Sequence, residues 1–286
     1  MTAAPPVALT IAGSDSGGGA GLQADLRTFT TCGVHGCVAV TAVTVQNSRG
    51  VTGFVEIPPS TVADQIRAVA TDIGVAAAKT GMLASAAIIS AVAEVCDEHG
   101  IGGSAPLVVD PVAASMHGDP LLAADALVAL RSELFPRATL VTPNLDEVRL
   151  LIDLDVQSRA QQCEAARALH ALGPRWVLVK GGHLHDDPEC MDLLYDGRDF
   201  TTLTASRVGT RHTHGGGDTL AAAITSALAR GAPMPAAVRY GKHYINQAVA
   251  HAYPLGSGVG PVSPFWRLGP DVIGVELGDK TGSYRD

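Results

Sequence analysis

A glycine-rich turn directly before an apolar helical pattern is the first place in this sequence where chemistry could occur. Residues 212–219 read H-T-H-G-G-G-D-T, and L-A-A-A-I-T-S-A-L-A-R follows at once. Consecutive glycine amides at a helix amino terminus can surround a phosphate, and the helix dipole favours negative charge there. Alternatively, the turn is a flexible loop in which Asp218 is the N-cap of an ordinary helix. The glycine cluster alone leaves both interpretations open.

Charged residues also stand at the ends of two apolar strand patterns. Asp110 ends the pattern in V-V-D-P, and Lys180 ends the one in L-V-K-G-G-H. A lysine beside glycine amides suits phosphate binding as a point charge. Strand ends are often merely solvated, so each residue by itself is weak evidence for a site.

The segment N-L-D-E, which runs from Asn144 to Glu147, follows a third strand pattern and Pro143. An Asn N-cap with Glu three residues later is close to a capping box, which favours a structural role. The alternative is a carboxylate that holds Mg²⁺ through water, since Mg²⁺ retains several waters and uses few protein ligands.

Asp25 stands on an apolar helical face after the glycine-rich stretch G-S-D-S-G-G-G-A-G. The residues of this face recur at i, i+3, i+4 and i+7, and they are Leu22, Asp25, Leu26 and Phe29. A buried carboxylate is costly without a partner. The partner is either a protein group or an amine or ring nitrogen of a ligand.

Together these residues match the parts of a phosphoryl-transfer site, which needs a lysine, a metal carboxylate and an amide-lined anion pocket. The glycines after the first strand do not fit a dinucleotide fingerprint, and no Walker-type phosphate loop occurs. The nucleophile elbow of a hydrolase, G-x-S-x-G, is absent after every predicted strand. A second polar cluster is interpreted as an exposed turn rather than a metal site, and it comprises His183, His185, Asp186 and Asp187.

The elements that must position these residues are short apolar strands that alternate with helical patterns. Strand patterns end at Gly13, Asp110, Thr142 and Lys180, and helical patterns cover 61–70, 84–99, 123–133 and 159–172. This alternation predicts an α/β fold with a doubly wound, mostly parallel sheet and helices on both faces. Ligands bind beyond the carboxyl ends of such strands, where the candidate residues lie. We expect one domain over residues 1–286, a small β flap within 33–57 and a frayed tail from 269.

Composition excludes several classes of function. The net charge is −8 and only 4% of residues are aromatic, whereas nucleic-acid binding requires a basic stripe and stacking rings. No apolar run is long enough for a membrane span, and no secretory signal is visible at the amino terminus. Five cysteines without a C-x-x-C motif argue against a disulfide framework and predict a cytoplasmic protein.

Seven ordered motifs carry a family resemblance. They are A-G-S-D-S-G-G-G-A-G-L-Q-A-D, V-Q-N, K-T-G-M-L, T-P-N-L-D-E, V-K-G-G-H, T-H-G-G-G-D-T-L-A-A-A-I and G-V-G-P-V. Over roughly residues 9–266 the chain resembles bacterial hydroxymethylpyrimidine and phosphomethylpyrimidine kinases of thiamine biosynthesis, in the ribokinase-like superfamily. The G-G-G-D turn alone would indicate only the wider superfamily.

The resemblance implies a small β flap, ATP as co-substrate, Mg²⁺, two successive phosphorylations of one pyrimidine and, often, a homodimer. The matched positions imply a pyrimidine pocket lined by Gly13, Asp25, Gln46, Met82 and Val112. They imply an ATP phosphate site formed by Lys180, His214, Gly215, Gly216 and Gly217. They also imply a magnesium shell of Asp110, Asn144 and Glu147, with Asp218 and Lys180 as the catalytic residues.

One position departs from the resemblance, because many members of this subfamily carry cysteine where this chain has Asp218. A carboxylate can accept the proton of an attacking hydroxyl. A phosphomonoester arrives largely as a dianion and needs no base, so we expect Asp218 to matter mainly in the first phosphorylation. Two alternatives remain at this point: a pyridoxal kinase on the same scaffold, and a regulator that binds a pyrimidine or nucleotide without turnover.

Overall fold

The computed structural model describes residues 4–113, 122–182 and 189–268. Nine strands of this part of the chain form one sheet. In chain order they are β1 Val7–Ser14, β2 His35–Asn47, β3 Gly50–Glu56, β4 Ala77–Thr80, β5 Leu107–Val109, β6 Leu140–Val141, β7 Trp176–Val179, β8 Asp192–Tyr195 and β9 Phe200–Leu203.

Eight α-helices connect and cover these strands. They are α1 Gly21–Thr31, α2 Pro59–Ala68, α3 Ala86–Glu98, α4 Ala124–Ala129, α5 Leu145–Ile152, α6 Arg159–His170, α7 Gly216–Ala229 and α8 Met234–Ala250. Helices α2 and α4 continue into π-helical turns at Val69–Ile73 and Leu130–Leu134. Within the described residues, no helix is both long and apolar enough to cross a membrane.

The strand order is β3-β2-β1-β4-β5-β6-β7-β8-β9. The six strands from β2 to β7 pair in parallel, and β3, β8 and β9 pair antiparallel to their neighbours. Chain order reverses direction between β1 and β4, which makes this point the topological switch where ligands bind in such sheets. The predicted doubly wound, mostly parallel sheet is confirmed.

Alternate residues of the strands belong to two different apolar cores, because successive side chains of a strand point to opposite faces of the sheet. Ala78 and Val109 pack with the helices α2 to α6 on one face. Ala77 and Val108 pack with α7 and α8 on the other face. Helix α1 lies on this second face beside α7, so the glycine-rich segments that precede α1 and α7 meet at one edge of the sheet.

The close approach of α1 to the sheet depends on the fully buried Phe29 and on a glycine below it. A Cβ atom at Gly36 of β2 would lie 2.9 Å from Cδ2 of Phe29. Phe29 also packs with Ala222 of α7. This packing fixes α1 against α7 and therefore fixes the distance between their amino ends.

The flap predicted within 33–57 is smaller than expected. The first half of β2 pairs in parallel with β1, from His35 to Val40, and so belongs to the main sheet. Only residues 42–47 of β2 pair with β3 as an antiparallel hairpin. The apolar alternation of β2 continues through both parts, which is why the sequence pattern did not separate them.

The four predicted helices correspond to α2, α3, α4 and α6, with ends that differ by a few residues. The sequence patterns did not predict β4, β8, the edge strand β9 or the long helix α8. The three strands read A-A-K-T, D-L-L-Y and F-T-T-L, so polar residues interrupt the apolar runs that revealed the other strands. The predicted tail from residue 269 lies outside the described residues.

Replacing Phe29 with alanine tests the packing of α1 against the sheet. We expect Phe29→Ala to lower the free energy of unfolding by about 3–5 kcal/mol, since a buried aromatic ring is lost. The exposed neighbour Thr30 provides the control, and Thr30→Ala should change stability by less than about 0.5 kcal/mol. Urea denaturation of both variants measures the difference, and equal stabilities would contradict this account of the helix.

Candidate active site

A cleft of about 890 Å³ opens at the carboxyl edge of the sheet. Three of its lining residues follow parallel strands: Asp110 directly after β5, Lys180 directly after β7, and Asn144 three residues after the end of β6. The first turn of α7 forms another wall. Most of the residues expected at the site line this cleft, and they are Gln46, Asp110, Val112, Asn144, Glu147, Lys180, His214, Gly215, Gly216, Gly217 and Asp218.

Lys180 is the positive centre on the β5–β7 side of the cleft. Its Nζ lies 2.9 Å from Oδ1 of Asp110 and 3.7 Å from Oε2 of Glu147. Thr142 donates a second hydrogen bond to Oδ1 of Asp110 at 2.8 Å. Burial alone would lower the pKa of Lys180, but the attraction of Asp110 and Glu147 raises it, so this lysine carries a positive charge.

Asn144 and Glu147 form the capping box that the sequence suggested. Oδ1 of Asn144 accepts from the amide of Glu147 at 2.8 Å, and Oε2 of Glu147 accepts from the amide of Asn144 at 2.7 Å. Glu147 is buried and faces Lys180 as well, and burial raises its pKa to about 7. The structural interpretation is therefore confirmed, and the same carboxylate also lies at the cleft wall.

Asp218 is not the N-cap of its helix, so that interpretation is wrong. Helix α7 begins at Gly216, its N-cap is Gly215 with φ of 74°, and Asp218 is the third residue of the first turn. Gly215 adopts a left-handed conformation that glycine takes without a steric cost. With the helix starting at Gly216, the Asp218 carboxylate faces the amino end of α1.

Both oxygens of Asp218 have protein partners. Oδ2 accepts a hydrogen bond from the amide of Gly21, the first residue of α1, at 3.1 Å. Oδ1 lies 3.4 Å from Nζ of Lys79 on β4. The carboxylate thus lies between the amino end of α1 and a buried ammonium group, and its residue remains partly open to the cleft.

Asp25 has a protein partner, which is one of the two alternatives that its position raised. Its Oδ1 lies 2.7 Å from Nζ of Lys79, and its Oδ2 accepts from Oγ1 of Thr10 at 2.6 Å. Asp25 and Lys79 are both fully buried beneath the cleft, so Asp25 is not on the cleft wall. A direct contact with a pyrimidine stays a prediction.

Burial and charge act in opposite directions on this pair. Burial, only partly offset by Lys79, raises the pKa of Asp25 to about 7. Burial alone would lower the pKa of Lys79, but Asp25 and Asp218 outweigh it and raise this pKa. Lys79 was not predicted as a site residue, because it stands within the four-residue strand A-A-K-T, whose surroundings only the sheet topology defines.

Asp15 is a second residue that sequence analysis missed. Its Oδ2 accepts from the amides of Gly19 and Ala20 at 2.8 and 2.9 Å and lies 3.1 Å from Nε2 of His214. Burial alone would raise the pKa of Asp15, but these hydrogen bonds lower it to about 2. Asp15 therefore orders the glycine loop before α1 and joins it to the turn before α7.

Gly13 and Met82, expected at a pyrimidine pocket, lie against each other beside the cleft. A Cβ atom at Gly13 would lie 3.4 Å from the Met82 sulfur. Thr41 of β2 holds Met82 by a hydrogen bond of 2.6 Å to its carbonyl oxygen.

Gln46 of the flap is connected to the glycine loop, since its backbone carbonyl accepts a hydrogen bond from the Ser16 hydroxyl at 2.7 Å. Gln46 and Val112 line the cleft itself.

In the part of the chain that the structure describes, no three His, Cys, Asp or Glu side chains are grouped closely enough to form a metal site. Two of the expected magnesium residues, Asp110 and Glu147, nevertheless lie close to Nζ of Lys180, whereas the side-chain oxygen of Asn144 is engaged in the helix cap. The exposed turn predicted at His183, His185, Asp186 and Asp187 lies outside the described residues.

Known proteins are similar to this chain over most of its length. The family model described as phosphomethylpyrimidine kinase matches residues 15–263. The chain is 60% identical over 264 residues to the hydroxymethylpyrimidine/phosphomethylpyrimidine kinase of Mycobacterium tuberculosis, covering 92% of this chain and 95% of that protein.

Two solved structures are also similar. The phosphomethylpyrimidine kinase of Clostridium difficile has a TM-score of 0.75 at 37% identity, with 85% of this chain and 99% of that chain covered. The Staphylococcus aureus pyridoxal kinase, in complex with AMP-PCP and pyridoxal, has a TM-score of 0.83 at 34% identity, with 92% and 94% covered. Since a family model matches most of its length and a relative of high identity covers nearly all of it, this chain belongs to the phosphomethylpyrimidine kinase family.

Proposed function

We propose that this protein uses ATP to phosphorylate hydroxymethylpyrimidine to its monophosphate and then to its diphosphate, in thiamine biosynthesis. The observation that carries this proposal is the convergence of Asp218 and Lys180 on one cleft at the amino end of α7. Phosphoryl transfer uses cations that hold the phosphates and, for a hydroxyl acceptor, a residue that takes its proton. The names of the relatives support the pyrimidine as acceptor.

The ATP phosphates are assigned to the first turn of α7 and to Lys180. In a helix the first amides have no intrahelical acceptor. The amide of Gly216 donates instead to the carbonyl of Thr213 at 3.1 Å, so we assign the phosphates to the amides of Gly215, Gly217 and Asp218. A Cβ at Gly217 would lie 3.4 Å from Nζ of Lys180, so amides and ammonium surround one small volume.

The charges around the cleft suit the participation of Mg²⁺. The side chains of Lys79 and Lys180 each contact two carboxyl groups, so this region contains four carboxyl groups and two ammonium groups. Anionic ATP would be repelled by this excess unless a cation accompanied it. Asp110 and Glu147 offer carboxylate oxygens of the kind that Mg²⁺ accepts directly or through water. When bound, the ion would neutralise charge on the phosphates.

Asp218 is assigned the proton of the acceptor hydroxyl in the first step. Its carboxylate is held by Gly21 and Lys79, so it is already oriented when the acceptor arrives. Lys180, paired with Asp110, would stay on the phosphate that is transferred. Positioning and charge neutralisation then supply most of the rate acceleration.

The pyrimidine is assigned to the side of the cleft under the flap. Gln46 and Val112 line this side, and Gly13 with Met82 lie beside it. A thioether and an aliphatic side chain can enclose a planar ring where aromatic residues are few. Pyridoxal carries a similar hydroxymethyl group, and the likeness to a pyridoxal kinase makes it the comparison substrate. A homodimer and a cytoplasmic location stay predictions.

Purified protein with ATP and Mg²⁺ tests the proposal directly. We expect release of ADP that depends on hydroxymethylpyrimidine, continues with its monophosphate, and is at least tenfold slower with pyridoxal. A coupled assay of ADP follows all three substrates under one condition. A strong preference for pyridoxal would reverse the assignment of the acceptor, and tight binding of the pyrimidine without ADP release would indicate a regulator.

Gly215→Ala tests the role of the turn before α7. Left-handed backbone costs alanine about 1–2 kcal/mol, and the new Cβ would lie 1.9 Å from the carbonyl oxygen of Gly19. We expect kcat/KM for ATP to fall at least tenfold. Gly209→Ala is the control, because a Cβ there meets nothing within 4 Å, and its kinetics should match the wild type. Unchanged kinetics for Gly215→Ala would argue against a phosphate site at this turn.

Asp218→Asn separates the two phosphorylations. We expect the first step to slow by about 100-fold, as for loss of a general base, and the second step by less than about tenfold, because its acceptor is already a dianion. Single-turnover rates with each acceptor measure the ratio. An equal loss in both steps would show that Asp218 does not act mainly as a base.

A further inference from the structure

Lys79 is a fully buried ammonium group that touches two carboxylates at once. Its Nζ lies 2.7 Å from Oδ1 of Asp25 and 3.4 Å from Oδ1 of Asp218. Asp25 is anchored in turn by the hydroxyl of Thr10 at 2.6 Å. A continuous chain of contacts thus leads from β1 through α1 and β4 to the cleft.

A purely structural ion pair would need only Asp25. Neutralising Lys79 requires one carboxylate, and Asp25 provides it at the shorter distance, within a site that excludes water. Gly81, which follows β4, lies beside both groups, since a Cβ atom there would be at an ordinary contact distance of 3.6 Å from Nζ of Lys79 and from Oδ1 of Asp218. The additional approach to Asp218 is therefore not explained by the neutralisation of Lys79.

The contact with Lys79 also completes the restraint of Asp218. Gly21 holds Oδ2 through its backbone amide, and Lys79 faces Oδ1. A carboxylate that is held at one oxygen can still turn about its last torsion, whereas one that is held at both cannot. Such restraint matters for catalysis because a misplacement of about 1 Å can cost about 100-fold in rate.

We propose that Lys79 is a positioning residue for Asp218 and that Asp25 in turn positions Lys79. The proposal rests on the proposed function, in which Asp218 takes the acceptor proton. In that step the acceptor O–H bond breaks and its proton moves to Asp218. The acceptor oxygen forms a bond to the γ-phosphorus of ATP, the bond to the β–γ bridging oxygen breaks, and ADP leaves. Lys79 keeps its own protons and exchanges none with the substrate.

The experiment compares Lys79→Met, Asp25→Asn and the double variant Asp25→Asn/Lys79→Met in the first phosphorylation. We expect kcat of Lys79→Met to fall about 100-fold, with KM for ATP changed by less than threefold. The double variant removes both buried charges, so its melting temperature should recover toward that of the wild type while kcat stays low. If kcat recovers together with stability, Lys79 serves only as the structural ion-pair partner of Asp25, and the proposal is overturned.

A double-mutant cycle with Asp218→Asn shows whether Lys79 acts through Asp218. In the Asp218→Asn background, Lys79→Met should slow the first step by less than a further threefold. A further loss as large as that of Lys79→Met alone would overturn the proposal. Asp25→Asn keeps the side-chain volume and gives the same comparison if Lys79→Met does not fold. Arg67→Met, which removes an exposed pair with Glu98, is the control and should keep kcat within twofold.

The wild type in the same assay distinguishes a failure of the proposed function from a failure of the role proposed for Lys79. If wild-type protein releases no ADP with hydroxymethylpyrimidine, the proposed function fails. If it does release ADP and Lys79→Met is equally active, only the role of Lys79 fails.

Discussion

The amino end of α7 meets the glycine loop that follows β1 at a contact that leaves no space for side chains. A Cβ at Gly215 would lie 1.9 Å from the Gly19 carbonyl oxygen, and a Cβ at Gly19 would lie 2.4 Å from the His214 ring. Because the two backbones touch, the first turns of α1 and α7 lie side by side and the Gly21 amide reaches Asp218. The amides at the amino end of α7 and the carboxylate of Asp218 are positioned relative to this one contact.

The burial of charge is the second constraint, and it explains why the charged residues in and beneath the cleft form ion pairs. A carboxylate or ammonium that leaves water is costly unless it is paired and hydrogen-bonded. Lys79 is therefore paired with Asp25, and Lys180 with Asp110. Each lysine also approaches a further carboxylate, so carboxyl groups outnumber ammonium groups around the cleft. In the proposed function this excess favours a cation that accompanies the anionic co-substrate.

How far the site could be predicted from the sequence depended on whether a residue follows a recognisable element. Lys180 was found because a charge at the end of an apolar strand stands out, and the strand ends of a parallel sheet share one edge. Lys79 and Asp15 were missed, because their importance comes from partners that are distant in the chain, Asp25 and His214. The interpretation of Asp218 as an N-cap was wrong, because it depended on the backbone conformation of one glycine. Residue types indicated the chemistry, whereas the tertiary contacts determined which groups are paired.

The flap and the turn before α7 are connected through the loop that follows α8. The amide of Val259 donates to the Ser48 carbonyl at 2.8 Å, and Arg49 Nε donates to Ser257 Oγ at 2.8 Å, which fixes the flap tip to this loop. Farther along the loop, the Gly260 carbonyl accepts from the amide of His214 at 3.2 Å. In the proposed function the acceptor gains a phosphate between two steps, and the pyrimidine is assigned to the flap side of the cleft. Because the backbones before α7 are in contact, we expect the hydrogen-bonded flap side to adjust to the larger acceptor.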